Sequence, residues 1–206
     1  KRIISGAEQI CQTYLALIHG TRGIIYFTHD WVATVEQWEA LQTLAARIKV
    51  MTPALVGLDP EQAITYTPGV WAPLRDELPD VQCRLMRFPD GRYVLLAANV
   101  RISPVALDIK VDGLQDDRLR DLFDGELGAI NAGAFTDTLP GRGVRSYVFD
   151  KIDADGVVRI ETQIKTLGDA GTIEPSYSNE GRVGMKNILP NPSFEDETIP
   201  GWPDYY

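Results

Sequence analysis

Residues 14–27 run Tyr14-Leu15-Ala16-Leu17-Ile18-His19-Gly20-Thr21-Arg22-Gly23-Ile24-Ile25-Tyr26-Phe27. They join the end of an amphipathic helix to a glycine stop and a short, continuous apolar run. Upstream, Ser5-Gly6-Ala7-Glu8 fits a capping box, in which Ser5 accepts from an orphan amide and Glu8 reaches back. Ala7, Cys11, Tyr14 and Ile18 fall on one helical face, widened by Leu15 and Leu17. Gly20 suits a helix stop because it enters the left-handed region without strain. Gly23–Phe27 lacks alternation, so both faces are predicted to be covered, as in a parallel strand between helices. Thr34 opens a second helix with Gln37 at the capping-box position. Its predicted buried face is Trp38, Leu41, Ala45, Ile48 and Met51, and Pro53 ends it soon after. The spacing thus predicts a helix, a buried strand and a helix, closing near Leu58.

Beyond Leu58 the period changes. Residues 63–67, 81–88, 92–98, 105–111 and 144–149 are predicted strands. Val105, Leu107, Ile109 and Val111 alternate with Ala106, Asp108 and Lys110, giving one buried and one mostly wet face. Pro89-Asp90-Gly91 is a tight hairpin, and Asp112-Gly113 and Asp124-Gly125 are further turns. Short strands punctuated by turns predict an antiparallel sandwich. Val157, Ile160, Thr162 and Ile164 add one more strand. Residues 166–187, with five glycines and prolines among few apolar residues, predict a linker.

The chain has 206 residues, 20 Lys+Arg against 29 Asp+Glu, and a net charge of −9. That charge argues against nucleic acid or an anionic membrane as partner, since both require basic patches. Charged residues at 24% and hydrophobic residues at 44% exclude a wholly disordered chain. No apolar run reaches the roughly 20 residues that span a bilayer. No signal-peptide pattern follows Lys1. The two cysteines, Cys11 and Cys83, have neither disulfide-scaffold density nor zinc spacing, and small buried apolar roles fit them.

Several residues carry candidate chemistry. Gly20–Gly23 precedes a strand, whereas phosphate cradles follow one, so it is a turn. His29, Asp30 and Trp31 follow the predicted strand on the side where α/β folds bind ligands. There Trp31 can stack on a sugar face while His29 and Asp30 bond hydroxyls; the alternative is a solvated loop whose Trp packs. Thr28 has no nucleophile-elbow motif around it, and one His with one Asp is too few for a metal. His19 caps or packs. Asp116, Asp117, Arg118 and Asp121 look like a solvated charge run. From Asn187 a new β segment begins, in which Glu195 can ligate calcium and Trp202 can stack on sugar or fill a core.

Residues 14–27 resemble the seventh helix and eighth strand of (β/α)8-barrel glycosidases, specifically the β-galactosidase-like enzymes of glycoside hydrolase clan A. The helix with Trp38-Glu39-Ala40-Leu41 and Pro53 resembles their eighth helix. Residues around Gly91–Asn99 and Tyr147-Val148-Phe149 resemble the β-sandwich that follows such barrels. Asn187–Trp202, with its Asn191-Pro192-Ser193-Phe194-Glu195 stretch, is similar to the opening of a jelly-roll carbohydrate-binding module.

The resemblance implies a fold class of α/β plus all-β. Residues 1–58 would be the last α-β-α unit of an incomplete (β/α)8 barrel, and 59–153 an antiparallel β-sandwich. Residues 154–186 would be a strand and linker, and 187–206 the truncated start of the binding module. It also implies a parent that hydrolyses glycosidic bonds with two carboxylates at the ends of the fourth and seventh strands. Both would lie upstream of Lys1, so no catalytic residue is assigned and the fragment is expected to be inactive. Expected substrate contacts are Trp31, His29, Asp30 and Trp202, with Glu195 for a structural calcium and no other cofactor. The expected partners are carbohydrate and the N-terminal barrel of the same polypeptide, and the parent would be secreted or periplasmic. Two rivals remain: a non-catalytic glycan-binding accessory domain docked through its helices, and a complete small α/β enzyme using His29 and Asp30.

Overall fold

A computed structural model describes residues 4–25, 34–67 and 79–167. These belong to the first of two compact units, Lys1–Ala170; the second, Gly171–Tyr206, lies outside the described residues. The described elements are helices α1 (Gly6–Ile18) and α2 (Val35–Leu55) and strands β1 (Gln62–Thr67), β2 (Val81–Arg87), β3 (Tyr93–Asn99), β4 (Val105–Val111), β5 (Asp117–Asp121), β6 (Gly125–Ile130), β7 (Ala134–Leu139), β8 (Val144–Phe149) and β9 (Val158–Thr166). The strands form two sheets, ordered β1-β9-β4-β7 and β2-β3-β8-β5-β6. Every pairing is antiparallel except β1 with β9, which is parallel, a departure from the expected all-antiparallel sandwich.

Strand parity builds three layers. Leu85, Leu95, Tyr147 and Phe149 point between the sheets and meet Leu107, Ile109, Phe135 and Ile160 from the other side. Phe135 tilts against Tyr147 at 4.9 Å and Phe149 at 5.9 Å between ring centroids, a favoured aromatic geometry. The alternate residues Met86, Val94, Leu96 and Ala98 point the other way, onto Tyr14, Leu17, Leu44, Met51 and Leu55 of the helices. The five-stranded sheet is therefore buried on both faces where β2 and β3 run.

The capping box forms as expected: Glu8 N donates to Ser5 Oγ at 3.2 Å, and Ser5 N to Glu8 Oε2 at 3.0 Å. The second cap is only half a box. Gln37 N donates to Thr34 Oγ1, but the Gln37 side chain donates to Ile4 O at 2.9 Å instead of turning back. Glu36 accepts from Gly6 N at 2.8 Å, so the two helix N-termini are tied together and an orphan amide of α1 is satisfied.

The buried face of α2 is Gln37, Ala40, Leu44, Met51, Ala54 and Leu55. Of the expected face only Met51 is buried, while Trp38 is 53% exposed. The helix carries two adjacent apolar stripes, and the one with small Ala40 and Ala54 allows the closer approach to its neighbours. Residues 23–25 form no strand and Ile25 is 80% exposed, contrary to the expected buried strand there. Among the described residues no strand flanks this segment, so its apolar run has no ladder to join.

Three further strands escaped the periodicity. Asp117–Asp121 is β5, not a solvated run: Leu119 and Asp121 are buried. Asp121 accepts from the amides of Phe123, Asp124 and Ser146 at 2.8, 3.1 and 2.7 Å, fixing the β5–β6 turn against β8. Strands β6 and β7 complete the set.

Side chains close the sandwich along β2. Gln62 of β1 donates to Leu85 O at 2.9 Å and accepts from Leu85 N at 2.8 Å. Four residues on, Tyr66 Oη accepts from Cys83 N at 3.0 Å. An amide and a phenol thus occupy the backbone positions that a further strand would take.

Arg84 locks the helices to this sheet. Its fork holds Asp59 through contacts of 2.8 to 3.0 Å, and Nη1 donates to the Leu17 carbonyl at the end of α1. Beside it, His19 Nε2 donates to Gln82 Oε1 at 2.5 Å, so His19 packs as expected. The Arg84 side chain is 7% exposed, Asp59 34%. Asp59→Ala strands a buried cation and is expected to lower stability by about 3–5 kcal/mol. Arg84→Met leaves a carboxylate that already reaches water and is expected to cost less, about 1–3 kcal/mol. Urea midpoints of the two variants check this ranking.

Candidate functional surface

The outer face of the four-stranded sheet follows from strict alternation. In β4 the side chains of Val105, Leu107, Ile109 and Val111 point inward, leaving Asp108 and Lys110 outward; in β9 Glu161 and Gln163 point outward. Register aligns them. Asp108 lies opposite Gln163 on one side and Thr136 of β7 on the other, and Lys110 lies opposite Glu161 and Ala134. Strands sit about 4.8 Å apart, so Gln163, Asp108 and Thr136 stand in a row about 10 Å long. Asn131 and Ala129, where the β6–β7 hairpin crosses between sheets, extend the same surface. Together they line an open concavity of about 460 Å³.

A second polar group lies inside. Asp137 of β7 points between the sheets, where Oδ2 accepts from Tyr147 Oη and Arg145 Nε, both at 2.9 Å. Tyr147 is fully buried. Burial, then the Asp137 charge, holds its hydroxyl well above the ordinary phenol range. With Tyr147 fully buried, the group ties β7 to β8.

His29, Asp30, Trp31, Glu195 and Trp202 all lie outside the described residues. Among the described residues no group of three or more His, Cys, Asp or Glu is placed to hold a metal ion. No described helix is long and apolar enough to cross a membrane. The concavity was not anticipated as a site. Its signal was the wet half of the Val105–Val111 alternation, but strand β7 and the register that joins 108, 136 and 163 were missing.

No family model and no curated protein matches the chain. Among solved structures it is similar to alpha-galactosidase I from Mortierella vinacea, with a TM-score of 0.52 and 14% identity over 74% of this chain and 38% of that one. Two Bacteroides fragilis NCTC 9343 chains are also similar. One, assigned as an alpha-galactosidase, gives a TM-score of 0.49 at 12% identity, over 73% of this chain and 30% of that one. The other, assigned as an alpha-galactosidase/melibiase, gives 0.47 at 14%, over 71% and 29%. The chain thus spans well under half of each. At these identities the likeness to the Mortierella enzyme is one of fold.

Both cysteines are buried and free. Burial pushes the Cys11 thiol from 9.0 up to about 11 and Cys83 from 9.0 up to about 12. Burial also raises the Tyr14 and Tyr66 hydroxyls. The folded chain therefore holds these protons more tightly than the unfolded one. Their stabilisation is fully present below the unfolded thiol value of 9.0 and is lost as pH rises toward the folded values. The urea midpoint is expected to fall between about pH 8 and about pH 10.5. Thiol reagents at about pH 8 are expected to label neither cysteine until urea unfolds the chain.

Proposed function

We propose that this chain is the C-terminal part of a glycoside hydrolase acting on oligo- or polysaccharides. The observation that carries the reading is the fold likeness to the Mortierella alpha-galactosidase, which takes in most of this chain and a minor part of that enzyme. In this reading α1 and α2 belong to the end of a (β/α)8 barrel whose other elements lie elsewhere in the polypeptide. The sandwich follows from residue 59, with β9 filling its four-stranded sheet, and residues 187–206 open a carbohydrate-binding module. The exposed flank of α2, with Val35 74% and Trp38 53% exposed, supports it, because a second apolar stripe on a helix already packed through its first is suited to a further layer.

The chemistry would be hydrolysis by two carboxylates, one acid/base and one nucleophile, carried by the barrel part of the same polypeptide. The present residues would brace that barrel: the Arg84–Asp59 lock and the helix–sheet core hold α1 and α2 against a rigid sandwich. Trp31, with His29 and Asp30, would line the sugar site, Trp202 would stack on glycan in the binding module, and Glu195 would ligate its calcium.

A panel of nitrophenyl α- and β-glycosides tests the reading on this chain and on the longer polypeptide containing it. Hydrolysis by the longer polypeptide and none by residues 1–206 is expected. Turnover by the 206-residue chain, abolished by His29→Ala, would overturn it in favour of a small self-contained enzyme. Inactivity of both across the panel would also count against it.

A further inference from the structure

We infer that the concavity on the outer face of the four-stranded sheet is an accessory binding site for a neutral, hydroxyl-rich ligand of saccharide type, an inference that rests on the glycoside-hydrolase reading. Asp108, Lys110, Asn131, Thr136, Glu161 and Gln163 line it, and among the described residues none of these side chains makes a hydrogen bond or ion pair. Elsewhere on the described surface some charged groups pair, Arg92 with Asp90 and Arg120 with Asp150 at 2.7 Å and Arg118 with Glu126 at 3.0 Å, so charges on this fold can pair where register and reach allow. Lys110 and Glu161 sit opposite one another in register yet form no ion pair.

The chemistry selects the ligand class. Carboxylates and amide carbonyls accept, while the ammonium, the amide N–H groups and the threonine hydroxyl donate. Sugar hydroxyls do both, so they can use every one of these groups. Two carboxylates against one lysine disfavour phosphate or sulfate. Ile109 and Phe135 also border the concavity, but their side chains are turned into the core between the sheets, 1% and 4% exposed, so they offer little face to an apolar ligand. Among the described residues Asp108 and Glu161 are the only carboxylates in the lining, and two are too few to build a cation site of their own. Ala129 and Ala134 keep part of the surface low, so a pyranose ring can descend onto it. A volume of about 460 Å³ lies within the range of small-molecule sites and accommodates roughly one to two sugar rings. Without a stacking platform the affinity rests on exposed hydrogen bonds, so a Kd on the order of millimolar is expected.

Amide NMR of the isotopically labelled 206-residue chain tests this, titrated with methyl glycosides and disaccharides and with glycerol as control. Saturable shifts are expected at residues 108–110, 134–136 and 161–163 with at least one saccharide and not with glycerol. Asp108→Ala and Gln163→Ala are each expected to weaken binding by at least about fivefold, which corresponds to about 1 kcal/mol. Both side chains are exposed, so the fold should survive, and the variants' own spectra verify that. Arg118→Ala, on the other sheet, should leave affinity unchanged. Saccharide shifts that map elsewhere and ignore both variants would overturn this site while leaving the carbohydrate reading standing. Equal shifts with glycerol, or none with any saccharide, would also overturn it, and the hydrolysis panel judges the parent activity independently.

Discussion

Strands β2 and β3 carry buried side chains of both parities, and a sheet with two buried faces requires a layer on each side. That constraint organises the chain. The four-stranded sheet covers one face through Leu107, Ile109 and Ile160; the helices cover the other through Tyr14, Leu17 and Leu44. Polar links run through the same plane. Tyr14 Oη lies 3.0 Å from Ser146 Oγ, within hydrogen-bonding reach, and Arg84 bridges the Leu17 carbonyl to Asp59. The helices are consequently part of the sandwich's own stability.

The legible parts of the fold were those whose side-chain pattern matched their burial. Strands β1 to β4, β8 and β9 and both helix N-caps followed from alternation and capping residues. Strand β7 alternates too, with Phe135, Asp137 and Leu139 on the inner side, but an inward Asp breaks an apolar count. What makes it tolerable, Arg145 and Tyr147 converging on one carboxylate oxygen, is invisible along the chain. Strand β5 hid behind its charges for a related reason: Asp121 is buried because three backbone amides donate to it. On α2 two apolar stripes one residue apart were equally plausible from the 3.6-residue period, and the contact with α1 decided between them.

The candidate surface was less legible. The outward residues of β4 followed from alternation, but a concavity needs positions from three strands brought side by side. Residues 108, 136 and 163 are far apart in sequence, and β4 sits between β9 and β7 in the sheet although neither precedes it in the chain. Residues 26–33 and 187–206, where the sequence motifs concentrated, lie outside the described residues. The surface described and the motifs read from sequence therefore rest on different residues.

The Gln62 amide on β2 bears on self-association. An open strand edge recruits other chains because its N–H and C=O groups seek partners. Here those of Leu85, and the amide of Cys83, are already taken by side chains of the same molecule. An incoming strand would have to displace Gln62 and Tyr66 from an interior position. The sandwich is thereby protected from sheet-to-sheet polymerisation along this part of β2 by neutral side chains of its own, in addition to the exposed charge of Arg87 at the strand's end.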